Sequence, residues 1–286
     1  MKNIIIIFSL LVLPGLAIAQ SPWTQKKGGG FYKLSQWWVI SDGHFTDTGQ
    51  IDPNVTSGVF NTSFYGQYGI TDRVTAVLYF PFFSRAYFNN TISGTTGEVI
   101  TPGESVNSIG DTDIGITYAI LKNKGIKLSS TLLLGLPIGK SAGGESGILQ
   151  TGDGEFNQLL RVDVGGGLSV KKVNLYSAAY FGFNNRTNGF SDELRYGFEV
   201  GGIFFKEKFV ATLRLSGISS LENGSAADPA NGTSLFANNS EHFSWSPELA
   251  YNFTDKFGVS ASFGKAFSGK LIFANPAYSF GVYLKM

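Results

Sequence analysis

Ionisable side chains recur at alternate positions within otherwise apolar stretches: Lys33, Asp111, Asp113, Arg161, Asp163, Arg195, Glu199, Arg214, Glu248 and Lys285. In an extended chain, period-two spacing puts such residues on the face opposite their aliphatic neighbours. Charges gathered on the inner faces of several strands have two uses. Arg161, Arg195 and Arg214 set opposite Asp163, Glu199 and Glu248 would create a transverse field that selects solutes. The same groups paired with one another would brace a narrow interior. The other candidates are weaker. His44 and His242 are the only histidines and there is no cysteine, so neither thiolate chemistry nor a zinc site is expected. A hydrolase needs a serine within reach of a histidine that a third polar group orients. His242 has Ser240 and Ser244 nearby and Glu241 beside it, and His44 lies near Asp42 and Asp47, but both histidines read more simply as solvated loop residues. Asp42, Asp47 and Asp52 match no calcium-loop spacing. Gly135 to Ser141 has three residues between its glycines where a phosphate loop needs four, and reads as a strand entering a loop. No catalytic residue, metal or cofactor is assigned.

The elements that must position the charges are strands. From Leu160 to Val170, one face carries Leu160, Val162, Val164, Leu168 and Val170; the other carries Arg161, Asp163, Gly165, Gly167 and Ser169. Asp111 to Leu121 and the final segment to Met286 separate in the same way. A helix would mix these sets. Twelve such segments are expected, near 30–40, 58–70, 74–83, 109–121, 128–138, 156–170, 174–183, 195–205, 209–218, 243–253, 257–267 and 276–286. The connections alternate. Short ones fall at Thr71–Arg73, Lys122–Lys127, Lys171–Val173, Lys206–Lys208 and Thr254–Lys256, and long ones at 41–57, 84–108, 139–155, 184–194, 219–242 and 268–275. Short turns on one side, long loops on the other and an even strand number are the pattern of a bacterial transmembrane β-barrel.

Composition agrees. Charged residues are 15% of the chain, against roughly a quarter in soluble domains. Aromatics are 14%, and they gather at strand ends on the apolar face. Tyr32, Tyr68, Tyr118, Phe204, Phe209, Tyr251, Phe253 and Phe257 lie near the short turns; Trp38, Phe60, Phe181, Phe183, Phe243, Trp245 and Tyr278 lie near the long loops. Two rims of amphipathic rings suit two membrane–water interfaces, whereas a soluble sandwich has no need of them. Lys265 is the one charge on the lipid side, which places it near a rim. The net charge of +1 gives no reason to expect a nucleic-acid partner. Residues 1–19 read as a secretory signal, with Lys2, the apolar run Ile4 to Leu13, the Pro14-Gly15 break and an Ala17-Ile18-Ala19 cleavage site. The barrel domain is then 20–286.

Some of these residues resemble a known family. Tyr68, Gly69, Ile70, Thr71, Asp72, Arg73 and Val74 read as strand, turn and strand. Ile109 to Tyr118 follows, with its Gly110-Asp111-Thr112-Asp113 core, and then Leu134, Gly135, Leu136, Pro137, Ile138 and Gly139. Over roughly 65–140 this series resembles the outer-membrane barrels of the meta-pathway phenol-degradation family. The resemblance implies a channel or transporter, often for hydrophobic or aromatic compounds, and carries over no catalytic residue. The expectation is therefore an all-β protein: a transmembrane antiparallel up-and-down barrel of about twelve strands in the outer membrane of a Gram-negative-type bacterium. Its partners are outer-membrane lipid and a small solute that passes passively, and it is not an enzyme. Lys33, Asp111, Asp113, Arg161, Asp163, Arg195, Glu199, Arg214 and Glu248 are expected to line the lumen. Trp37, Tyr65 and Tyr283 are its expected aromatics. A non-conducting structural or adhesive barrel, and an outer-membrane lipase, are the alternatives.

Overall fold

The computed structural model describes residues 22–122, 125–170, 173–226 and 235–286. The secretory signal expected at 1–19 lies outside the described residues. Sixteen strands follow one another among them: β1 (Gly30–Phe45), β2 (Ile51–Gly69), β3 (Val74–Phe88), β4 (Thr91–Ile92), β5 (Val99–Thr101), β6 (Glu104–Ser108), β7 (Thr112–Leu121), β8 (Ile126–Leu136), β9 (Asn157–Val170), β10 (Val173–Arg186), β11 (Glu193–Phe204), β12 (Phe209–Ser220), β13 (Glu241–Asn252), β14 (Phe257–Lys270), β15 (Ile272–Phe273) and β16 (Ala277–Lys285). β6 and β7 both pair with β3 and act as one wall strand; β15 and β16 both pair with β1 and do the same. β4 and β5 form a separate hairpin within a loop. The wall therefore has twelve antiparallel strands, and β1 closes it by pairing with β2 on one side and β16 on the other. Closure leaves no strand edge whose backbone groups would be stranded in lipid.

The pleat sorts the side chains as the sequence pattern requires. Leu160, Val162, Val164, Leu168 and Val170 on β9 are each 42–56% exposed on the chain alone, and lipid is what covers them. Between them, Arg161 and Asp163 are buried within. Transfer of such aliphatic surface out of water contributes about 25 cal/mol per Å2. Rings stack outside near each rim: Tyr32 on Phe64, Phe209 on Tyr251 and Phe253 on Phe257 at the short-turn end, and Trp38 on Tyr278, Phe60 on Tyr87 and Phe243 on Phe267 at the other. Lys265 is opposite Trp245 and exposed, with Phe263 and Phe267 on either side along β14. At this position a lysine can run its apolar stem along the wall and hold its ammonium at the head groups.

The main departure from expectation concerns the long connections. Expected loops 41–57 and 268–275 are largely strand, because β1 and β2 pair out to Phe45 and Ile51 and β14 runs to Lys270. Loop 84–108 holds the end of β3 and three short strands. Loops 184–194 and 219–242 shrink at both ends. The physical reason is that the barrel continues above the membrane. There both faces of the wall meet polar surroundings, so the hydrophobic alternation that marks a strand fades while the backbone ladder goes on. His44 accordingly sits in β1, opposite Asp52 and Phe273, and is buried; His242 lies in β13. Neither is the solvated loop histidine that the sequence suggests.

Candidate solute pathway through the barrel

Two tiers of side chains, one in the middle and one at the long-loop end, reach into the lumen. The middle tier holds most of the charges. Lys33 Nζ lies 3.5 Å from Glu248 Oε2. β1 and β13 are separated in the wall by β14 and β16, so this pair crosses the interior. The Arg214 guanidinium is 2.5 Å from Glu199 Oε2 on β11 and 3.5 Å from Glu248 Oε2 on β13. Arg161 binds Asp163, two residues along its own strand, at 3.0 Å, and its guanidinium lies 5.1 Å from the Tyr180 ring centre. Arg195 binds Glu193, likewise two residues away, at 2.8 Å. Asp113 is opposite Tyr79 and Gly135 on the inner face. Of the two arrangements left open by the sequence, these contacts are those of paired, bracing groups more than of arginines facing carboxylates across the lumen. Most pairs form along one strand or between neighbours, and Lys33 with Glu248 makes the long reach. Short-range pairing lets each buried carboxylate meet a cation without spanning the interior, which limits the desolvation penalty.

Around these charges lies a cavity of about 380 Å3. Its lining includes Phe31, Lys33, Tyr65, Glu199, Arg214 and Tyr283. Phe31, Tyr65 and Tyr283 touch as a cluster, with ring centres 5.5 and 6.3 Å apart. Glycine gives the tyrosines room along the wall. A methyl group added at Gly201 would overlap the ring of Tyr176, and one at Gly197 would overlap that of Tyr180. Each ring therefore lies flat over a glycine of the next strand and stays out of the passage, as cross-strand aromatic–glycine pairs do. Trp37, Tyr65 and Tyr283 face inward. Phe31, Tyr79, Tyr176 and Tyr180 join them, and the period-two phase of the expected strands puts them on that same face.

The long-loop tier is apolar and then ionic. Val39, Val59, Ala86 and Val106 align across β1, β2, β3 and β6 and are buried with Leu149 and Phe273. Leu149 comes from the 137–156 connection, which folds back onto the mouth. Several contacts hold it there. Asp111, just before β7 rather than on it, accepts the backbone N–H of Gly139 at 2.8 Å and that of Asp153 at 2.7 Å. Burial pushes the Asp111 carboxyl up to about 7, although the two amides favour its ionised form; the nearby charge of Asp153 pushes it further up. Glu104 accepts the N–H of Ser146, and Thr151 Oγ1 donates to the Ile109 carbonyl at 2.9 Å. Glu155, 1% exposed, binds Arg186, which also meets Glu193 at 2.8 Å and Asp153 at 3.6 Å. None of Asp153, Glu155, Arg186 and Glu193 belongs to the expected lumen set. They lie in or beside loops, where no periodicity marks a facing direction.

In the stretch that resembles a phosphate loop, the Gly139 N–H is bound to Asp111 and the Lys140 N–H to Thr151 Oγ1. Ser244 Oγ is 3.2 Å from Ser216 Oγ, and among the described residues no serine is hydrogen-bonded to His242, the histidine a lipase site would need. No group of three His, Asp or Glu side chains among the described residues could hold a metal ion.

No protein-family model matches the chain, and no curated protein matches it by sequence. Solved structures do. An outer membrane channel from Pseudomonas putida F1 superposes with a TM-score of 0.62 at 14% identity, over 96% of this chain and all of that one. A KdgM porin in complex with disordered oligogalacturonate (TM-score 0.45, 10% identity, 90% and 99% coverage) and LpxR from Salmonella typhimurium (0.47, 10%, 89% and 99%) align more loosely. At these identities the likeness speaks for fold alone. The fold is that of an outer-membrane β-barrel, and the outer membrane is where this chain resides.

Proposed function

We propose that the protein is a passive channel that admits small solutes one at a time, favouring amphipathic or aromatic ones. The observation that carries this reading is the cavity of about 380 Å3 halfway along the barrel, walled by ion pairs and flat-lying aromatic rings instead of a packed apolar core. A site of this size accommodates a single small molecule. The tyrosine faces offer stacking surface, and the pairs Lys33–Glu248 and Arg214–Glu199 offer hydrogen-bonding edges. Because most charges are neutralised by close partners, the lumen has no dominant sign, which suits a solute without a large net charge. The resemblance to the phenol-degradation barrels points to the same class of solute. The chain is proposed to carry out no bond-breaking chemistry.

The alternative, a sealed structural barrel, is favoured by one observation: the 137–156 connection and the apolar tier above the cavity close much of the long-loop mouth. Flux into proteoliposomes separates the two. A phenol-sized aromatic alcohol bearing a sulfonate, too polar to cross lipid, should enter vesicles containing the folded protein faster than a neutral disaccharide does. Equal rates with and without protein for every solute would reject the channel.

A further inference from the structure

The short-turn mouth is crossed by the chain's own segment Pro22–Gln25, which runs inside the barrel ahead of β1. Its anchors lie on widely separated parts of the wall. Gln25 N–H donates to Thr75 Oγ1 at 2.9 Å, and its side-chain amide donates to Gln67 Oε1 at 2.8 Å, at the ends of β3 and β2 beside their turn. Thr24 Oγ1 donates to the Asp72 carbonyl in that same turn. Trp23 packs edge-on against Tyr176 of β10, with ring centres 5.9 Å apart. Pro22 is less than 2% exposed, and its ring occupies the space that a side chain at Gly165 of β9 would fill. Around the wall β3 is followed by β7, β8, β9 and β10. Four residues of extended chain span roughly 13 Å, so a segment tied to β2 and β3 at one end and to β9 and β10 at the other must run as a chord through the opening.

Residues with no role in the passage would be free to hang in the periplasm. These are instead inserted, with Pro22 buried and Trp23, Thr24 and Gln25 half-buried against partners on the wall. Gln67 also donates to Tyr65 Oη at 2.7 Å, which links the strap directly to the aromatic cluster of the central cavity. Tyr176, which carries Trp23, pairs through its hydroxyl with Thr212 Oγ1 at 2.8 Å and is held flat over Gly201.

We propose that Pro22–Gln25 is the exit constriction of the channel, and that Trp23 and Gln25 set the size of solute that leaves at the short-turn end. This rests on the channel reading above, and the test is built so that the two fail separately. The full-length protein is compared with a variant in which Pro22, Trp23 and Gln25 are all replaced by glycine, and with Trp23→Ala alone, each checked for β-barrel folding by heat-dependent mobility on gels. Two properties are read. The first is single-channel conductance, expected to rise at least twofold in the triple variant and by a smaller factor in Trp23→Ala. The second is the rate at which Ser35→Cys, a lone thiol on the cavity wall, reacts with a bulky water-soluble maleimide added at the short-turn side. Freed of the strap, that rate is expected to rise at least tenfold. Conducting proteins with equal conductance and equal labelling would overturn the strap and leave the channel standing. If no variant conducts, the channel reading fails and labelling alone decides: faster reaction in the triple variant supports the strap, and an unchanged rate overturns it.

Discussion

Replacing Arg214 with alanine removes the positive member of a three-charge cluster and leaves Glu199 and Glu248 facing each other across β12. In the folded protein Arg214 lies 2.5 Å from one carboxylate and 3.5 Å from the other. Lys33, 3.5 Å from Glu248, remains, so the cluster shifts by one unit toward negative charge. An ion travelling along the axis of a twelve-stranded barrel passes roughly 7 Å from this site. A unit charge at that distance in a water-like dielectric is worth about 0.6 kcal/mol. Cation and anion move in opposite directions, so the permeability ratio changes by about 1.2 kcal/mol, or roughly sevenfold, without screening. At about 0.1 M salt the Debye length is close to 10 Å. Attenuation over the ~7 Å path then halves the effect and leaves about a threefold gain in cation over anion permeability. The assay is the reversal potential of single channels in a tenfold salt gradient, compared for the native protein, Arg214→Ala and Arg214→Lys. Lysine keeps the charge and is expected to keep the selectivity. An unchanged reversal potential in Arg214→Ala, from channels of normal conductance, would mean that ions do not pass this cluster, and the assignment of the pathway would be refuted.

Other consequences follow from the same geometry. Val164→Arg, near the middle of β9 on the lipid face, should lower barrel stability by roughly 2–4 kcal/mol in urea titrations of the vesicle-inserted protein; a change below about 0.5 kcal/mol would show that this face does not meet lipid. Arg186→Ala strands Glu155 and Glu193, whose side chains are 0% and 4% exposed, without their cation. Loss of one member of a buried ion pair costs about 3–5 kcal/mol, so the 137–156 connection should undock and become the first site cut by protease, and equal resistance would contradict its docking. The raised Asp111 carboxyl gives docking a pH dependence. Its proton is held more tightly docked than undocked, so docking is favoured at low pH and weakens as pH rises from the ordinary carboxylate range through about 7. Hydrogen exchange of 139–153 should therefore be slower at pH 5 than at pH 8 after correction for intrinsic rates, and Asp111→Asn should remove the difference. Gly197→Ala should push the Tyr180 ring off the wall and reduce conductance, while Gly→Ala at the open position Gly94 should change nothing.

Much of this architecture is legible in the sequence because a membrane barrel imposes two constraints at once. Lipid demands apolar residues at every second position, and the lumen tolerates charge at the others, so Leu160 to Val170 declares both its strand and its phase. The rims are marked by rings such as Trp38 and Tyr278, which pair across β1 and β16. What the sequence hides is whatever leaves the lipid. β1 runs on past Ile40 through Ser41, Asp42 and Gly43, and those residues read as loop because the outer face there meets water. The inner charges could be assigned to a face but not to partners, since the choice between Arg161–Asp163 on one strand and a pair across the lumen depends on barrel radius and shear. Arg186, Glu155 and the strap at Pro22–Gln25 were beyond reach for a related reason. A loop or terminal segment that folds inward carries no repeat to reveal its direction; only contacts such as Trp23 on Tyr176 disclose it.

In the proposed function, a continuous path for small solutes runs past the Lys33–Glu248 and Arg214–Glu199 pairs. Single-channel recording of the refolded full-length protein in a planar bilayer tests it most directly. Reproducible conductance steps are expected, with only weak preference for either ion sign, in keeping with a lumen whose charges are paired. Silence from protein shown to be folded and inserted, persisting in the variant freed of its strap and in Arg186→Ala, would contradict it and establish a sealed barrel.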